Sequence, residues 1–197
     1  MLAEPSPDFG RLRRVLLRQG EPDRVPFVEL FADREIMAAV TGEPIPPAVP
    51  SDRAARDRAL DWGIRFWHQA GYDYISVGPT VSLLLKSLAT ADTAILGREQ
   101  RQWQDEGIGV IHDWETFESY PWPRADEIDY YALEYVGRHL PDGMQIVAVA
   151  DPGGQLELVT ALMGFTVLMV ALKENPSLVQ AVGLRQGPHL LPVLVEL

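Results

Sequence analysis

Apolar runs alternate with helical periods along the first half of the chain. Residues 8–19 place Phe9, Leu12, Val15 and Leu16 on one helical face, with arginines opposite and Asp8 placed to cap. After the turn at Gly20–Asp23, Arg24–Phe31 is almost continuously apolar, which predicts a strand buried on both faces and entered near Pro26. Asp33 is placed to cap a helix through Val40. A proline-rich loop over 43–50 then leads to Ser51-Asp52 and a long helix to about Ala70, carried by Ala55, Leu60, Ile64, Trp67 and Ala70 and stopped by Gly71. Tyr72–Pro79 predicts a second buried strand.

The alternation breaks over 80–123, which reads as an insertion or lid. The expected pieces are a short helix over Val81–Ala89, a hairpin of Ala94–Leu96 with Arg101–Gln104 around Gly97, and a strand over Gly107–Ile111. Trp114–Tyr120 allows one helical turn before Pro121. Ala125–Leu140 has the period of an amphipathic helix on Ile128, Leu133, Val136 and Leu140, and Asp142-Gly143 turns the chain into a third apolar strand, Met144–Ala150. The most apolar run, Leu156–Leu172, contains Glu157 and reads as a buried helix.

Strands alternating with long helices imply an α/β fold with right-handed crossovers and a parallel sheet. No glycine-rich turn follows the first predicted strand at Leu30-Phe-Ala-Asp33, so a barrel of strand–helix units is favoured over a doubly wound nucleotide-binding sheet. A whole barrel takes about 250 residues. With three crossover strands in 197 residues, the expectation is a single domain over 1–197 that is a truncated product, or one whose open edge a second copy covers as a homo-oligomer.

Charge and composition narrow the partners. The net charge of −11 disfavours nucleic acid, and the absence of cysteine removes disulfides, thiolate metal sites and cysteine nucleophiles. No window reaches the roughly 20 apolar residues of a membrane span and the N-terminus lacks a signal-like stretch, so a cytoplasmic protein acting on a small molecule is expected.

Several phrases are specific: Arg24-Val-Pro-Phe27 with Asp33-Arg-Glu-Ile-Met37, Gln69-Ala-Gly-Tyr-Asp73, Arg101-Gln-Trp103 leading to Gly109-Val-Ile111, and Trp114–Pro123. Leu140-Pro-Asp-Gly-Met144, Leu162-Met-Gly-Phe165 and Glu174–Val179 continue the series. Together they resemble the uroporphyrinogen decarboxylase family, in its divergent branch related to methylcobamide:coenzyme M methyltransferases. The resemblance implies the N-terminal half of a partial (β/α)8 TIM barrel with a hairpin insertion. It also implies carboxy-lyase chemistry on a tetrapyrrole in porphyrin metabolism; the alternatives are a corrinoid-dependent methyltransferase or an inactive fragment or scaffold. Residues after Val182, with Gly183, Gly187, Pro188 and Pro192, depart from the helix expected there.

Barrel active sites lie at the C-terminal ends of the strands. That nominates Glu29, Phe31 and Asp33 after the first strand, Ser76, Gly78 and Pro79 after the second, and Asp151, Gly153, Gly154 and Gln155 after the third. The family's decarboxylases carry a paired-arginine motif where this chain reads Glu29–Arg34, with Arg34 alone. Their aspartate and tyrosine would fall near Val77-Gly78 and Thr160, so no catalytic residue is assigned. The methyltransferases' zinc, held by one histidine and two cysteines, and their corrinoid are implied only with a further C-terminal half; no cofactor is expected within this chain. Asp151-Pro-Gly-Gly154 reads as a ligand-approaching loop or a strand-ending turn, and Glu29 as a ligand contact or a buried ion pair with Arg24 or Arg34. Asp113 reads as a helix cap more readily than as the partner of His112. His68 reads as a packing residue, His139 as a helix-terminal one, and Trp103, Trp114, Tyr120 and Trp122 as a small core within their own loop or a wall for a flat ring.

Overall fold

The computed structural model describes residues 4–29, 31–47, 51–91, 100–104, 107–149 and 154–195, with side chains described outside 88–91, 100–104 and 186–195. In chain order the elements are α1 (Phe9–Leu16), α2 (Arg34–Thr41), α3 (Arg53–Gln69), β1 (Tyr74–Val77), β2 (Ser87–Ala91), β3 (Gln100–Gln104) and α4 (Trp114–Ser119). A 3-10 turn (Ala125–Glu127), α5 (Tyr131–His139), β4 (Gln145–Ala148), α6 (Gln155–Met163), α7 (Phe165–Glu174) and α8 (Pro176–Val195) follow. The fold is mixed α/β. Contacts divide it into two units, one within Met1–Gly78 and Tyr130–Val149, the other within Pro79–Asp129 and Ala150–Leu197.

The first unit is built on one parallel pair. β1 and β4 align Tyr74 with Gln145 through Val77 with Ala148, and a parallel pair requires a long crossover, whose last element is α5. Its core joins Ile64, Phe66 and Trp67 of α3 to Ile75, Val136 and Met144. Local chemistry sets the helix ends. The Asp8 carboxylate accepts from the Gly10 N–H, and that of Asp52 from the N–H groups of Ala54 and Ala55, each cap contributing about 1 kcal/mol. α3 ends in a Schellman motif: the Tyr72 N–H donates to Trp67 O (3.1 Å) and the Gly71 N–H to His68 O (3.0 Å), with Gly71 at φ +83°. The accompanying apolar contact is the Trp67–Tyr72 ring pair at 4.7 Å.

In the second unit β2 and β3 form an antiparallel hairpin, and α6, α7 and α8 pack around Leu162, Met163, Leu168, Leu178 and Val182. The loop 107–111 docks on the break between α6 and α7. The Gly109 N–H donates to Met163 O (3.0 Å), the Ile111 N–H to Leu162 O (2.8 Å) and the Thr166 N–H to Gly107 O (3.3 Å), which satisfies carbonyls that a helix end leaves open. Gly164 makes the break at φ +76°. A Cβ there would lie 2.4 Å from the Gly109 nitrogen, and one on Gly109 would lie 2.1 Å from the Leu162 carbonyl oxygen.

Several expectations are corrected. Arg24–Phe31 is not a strand: among the described residues it has no ladder partner, and Val25 and Phe31 are each 79% exposed. The apolar run marked an extended segment, while a ladder depends on a distant neighbour. The third strand is short and half-exposed; among the described residues only β1 flanks it. Val81–Ala89 is not a helix; its end enters β2, which pairs with the expected Arg101–Gln104 strand, while Ala94–Leu96 lies outside the described residues. Gly107–Ile111 spends its hydrogen bonds on a helix end instead of a sheet. The helix expected over Ala125–Leu140 is divided, because Asp129 exchanges both backbone hydrogen bonds with Thr80. Leu156–Leu172 is two helices meeting at 97° at Gly164. Among the described residues no single helix is long and apolar enough to cross a membrane. α8 continues helically through 183–195, each proline there removing one N–H without ending the helix.

Gly164→Ala is expected to destabilise by about 3 kcal/mol or more, since a left-handed side-chain residue and a backbone clash add. Gly137→Ala, in α5 with only the Ile146 Cδ1 3.8 Å away, is expected to stabilise by about 0.4–1 kcal/mol. Urea denaturation of the two variants checks this, and equal midpoints would contradict the role given to Gly164.

Candidate functional site at the strand ends of the first unit

Because β1 and β4 are parallel, their C-terminal ends lie on one side, where Gly78 and Val149 approach closely. A Cβ on Gly78 would sit 1.8 Å from the Val149 carbonyl oxygen, so a side chain is excluded there by the neighbouring strand itself. The 24–29 segment runs alongside β1 in the same direction: Arg24 Nη2 donates to Gly71 O (3.1 Å), Phe27 packs on Tyr72 (ring centroids 5.8 Å), and the Glu29 N–H donates to the Tyr74 hydroxyl (2.6 Å). The same hydroxyl donates back to Glu29 O. The end of this segment therefore points the same way as Gly78.

Glu29 is exposed, which corrects its expected burial, and it forms no ion pair with Arg24 or Arg34. Arg24 is committed to Asp73 instead. Phe31 projects into solvent, and Asp33 stands at the N-cap position of α2. The exposed Arg34 donates from Nη2 to Pro46 O (2.6 Å), and its guanidinium lies 5.7 Å from the Trp62 ring centroid. The structure thus gathers Glu29, Phe31, Asp33, Arg34 and Gly78 in one unit. Gly154 begins α6 in the other, and Asp151 and Gly153 lie outside the described residues.

The opposite end of β1 holds a charge cluster that sequence reasoning missed. Asp73 is fully buried, and its Oδ1 accepts from the Asp8 N–H (2.9 Å), Arg11 Nη1 (2.5 Å) and Arg24 Nη2 (2.8 Å). Arg11 also grips Asp23 in a fork, Nε to Oδ1 at 2.5 Å and Nη2 to Oδ2 at 3.0 Å. The hydrogen bond from Arg11 pulls the Asp23 carboxyl down to about 2. The same bond, outweighing desolvation, holds Arg11 above its ordinary value. Arg11 was read as one of the solvent-facing arginines of its helix; the available signal was an aspartate directly before an apolar strand, which needs a cation once buried. A cleft of about 320 Å³ lies at this end, lined by residues including Ser6, Arg24, Phe27 and Gly71.

The second unit holds the remaining candidates. Asp113 caps α4 through the Thr116 N–H (2.8 Å), which holds its carboxyl below the ordinary value, and His112 Nε2 stands 3.6 Å from it with both side chains half-exposed. The described aromatics pack on each other, Trp114–Phe117 at 5.6 Å, Phe117–Trp122 at 5.5 Å and Tyr120–Trp122 at 4.7 Å, but they do not form a separate core: Tyr120 is buried with Ile111, Leu162 and Met163, and Phe117 and Trp122 pack against that cluster. Clefts of about 310 and 340 Å³, beside His112 and Pro121, include none of the predicted site residues. In the first unit, His139 ends α5 stacked at 4.0 Å on Tyr135, and His68 is half-buried in α3.

No family model, curated protein or solved structure matches the chain. Among the described residues no group of three histidine, aspartate or glutamate side chains is placed to hold a metal ion.

Replacing Asp73 by Ala leaves Arg11 Nη1 and the Asp8 N–H without their partner, while Asp23 still holds Arg11, and is expected to cost about 1–3 kcal/mol, read from urea denaturation. The Asp23 pair generates a pH dependence. Its folded-state value of about 2 lies below the ordinary 3.8, so the stabilisation is complete above about pH 4 and disappears as pH falls through about 2. Wild-type protein and Asp23→Asn should therefore differ in stability at pH 6 and converge near pH 2. A difference unchanged across that range would refute the assignment.

Proposed function

We propose that the chain is a uroporphyrinogen decarboxylase-family protein of tetrapyrrole metabolism, carboxy-lyase in type, and that its first unit forms part of a (β/α)8 barrel. The observation that carries the reading is the exposed pair Phe31 and Arg34, which follows the segment alongside β1 and opens α2 in the unit that also holds Gly78. A flat macrocycle edged with carboxylates asks for these two groups, an aromatic face to stack on and a fixed guanidinium to pair with an acid. The parallel β1–β4 pair with its helical crossover supports the barrel, and the family phrases support the substrate class.

Decarboxylation also needs a group that stabilises the protonated pyrrole. The positions where the family's acid and tyrosine would fall, at Val77-Gly78 and Thr160, carry no such group, so the chain is assigned substrate binding and no catalytic residue.

Uroporphyrin, the stable oxidised form of the substrate, serves as probe. Titration monitored by porphyrin absorbance should show saturable binding that weakens with salt, is roughly tenfold poorer in Phe31→Ala and is several-fold poorer in Arg34→Gln. Absence of binding at tens of micromolar, or binding of hydroxocobalamin in its place, would overturn the carboxy-lyase reading.

A further inference from the structure

We propose that the cleft beside His112 in the second unit binds a small amphipathic amine, the Glu174 carboxylate pairing its ammonium group and the α7 side chains taking its apolar body. The cleft has a volume of about 310 Å³, at the lower end of the range of small-molecule sites. Val167, Val170 and Leu178 make it mainly apolar, and His112, Glu174 and Asn175 supply polar groups. An apolar wall with a few polar groups that orient what enters is the composition of a ligand site. The inference does not rest on the tetrapyrrole reading, whose residues lie in the first unit.

The wall that carries His112 is fixed without a ligand. The Ile111 N–H donates to Leu162 O (2.8 Å), the His112 N–H donates to the Thr116 hydroxyl (3.0 Å), and the Asp113 carboxylate caps α4. Gly109 and Gly164 set how closely this loop approaches the start of α7. Leu178 of α8, 1% exposed, is part of the packed core, whereas Val170 of α7 is 51% exposed. The cleft thus joins a packed floor to an uncovered apolar side.

Charge selects a cation. Whichever state His112 takes, the carboxylates of Glu174 and of Asp113, the latter 3.6 Å from the imidazole, leave the site net negative. Among the described residues Glu174 forms no ion pair, and its neighbour Lys173 does not line the cleft. Glu174 also ends α7, where the helix dipole and the open carbonyls of the last turn disfavour an acid and attract a cation. An anion would compete with Asp113 for His112 and otherwise meet neutral donors such as the Asn175 amide, whose Oδ1 already accepts from Ser177 Oγ (3.0 Å).

The test is ¹H–¹⁵N NMR of the full chain at constant pH, titrated with n-hexylamine and, as the charge-reversed control of similar length, hexanoate. Hexylamine should shift the amides of Val170, Ala171, Glu174 and Leu178 saturably, with a Kd of about 1 mM for a ligand of this size. Glu174→Gln, at an exposed helix end, should weaken binding roughly fivefold. Val170→Lys, which places an ammonium of the chain's own in the cleft, should abolish it with the remaining spectrum preserved. Hexanoate should leave these amides in place. No saturable shift by about 20 mM hexylamine, shifts confined to other residues, equal binding of hexanoate, or an affinity unchanged in either variant would each overturn the proposal.

Discussion

The first unit is organised around a carboxylate with nowhere to go. Asp73 has no exposure to water, so its charge must be met inside, and Arg11, Arg24 and the Asp8 N–H converge on one of its oxygens. Those three donors come from α1, from the start of the extended segment and from the residue that caps α1. The residue's own carbonyl accepts from the Gln145 N–H at 3.3 Å, which brings in β4. The network is not optimised for stability alone: Asp73 Oδ2 and Arg24 Nη1 are buried without a partner among the described residues, and each such atom costs about 1–3 kcal/mol. The network anchors Arg24 at the N-terminal end of β1, and from that anchor the chain runs on to Glu29, Phe31 and Arg34.

The second unit depends on a constraint of backbone rather than charge. Gly109 and Gly164 let a loop and a helix break approach so closely that neither position admits a Cβ. The carbonyls of Leu162 and Met163 are then satisfied by the loop rather than by a continuing helix, and α7 leaves at 97° to α6. Two separate phrases of the sequence, Gly-Val-Ile at 109–111 and Met-Gly-Phe at 163–165, are thus the two halves of one contact.

Helix ends were legible because their chemistry is local. Asp8, Asp52, Asp113 and Gly71 act within four residues of themselves, and each does what its type and spacing indicate. Strands were legible only where a partner exists, as for β1; the equally apolar 24–31 stretch reads the same in sequence but lacks the neighbour that makes a ladder. The break at Gly164 was hidden inside an apolar run whose period continues on both sides of it. Of the candidate site, only the position of Gly78 at the end of β1 followed from strand direction. The Asp73 cluster did not, because its partners lie 49 to 65 residues away in sequence and only burial brings them together.

The residues that carry the resemblance and the residues proposed to bind substrate overlap only at Arg34. Asp73, Gly109 and Gly164 all fall in the phrases that carry the resemblance, and each has a packing role stringent enough to restrict its identity: a buried charge with two arginines, and two glycines that admit no side chain. Phe31 sits between such phrases, Arg34 within one, and both are exposed, where substitution costs the fold little. Resemblance built on the first kind of position speaks to how the chain folds, whereas the proposed substrate binding rests on the second kind. Substrate binding through Phe31 and Arg34 therefore has to be established on those two residues, since the positions that define the framework impose nothing on them.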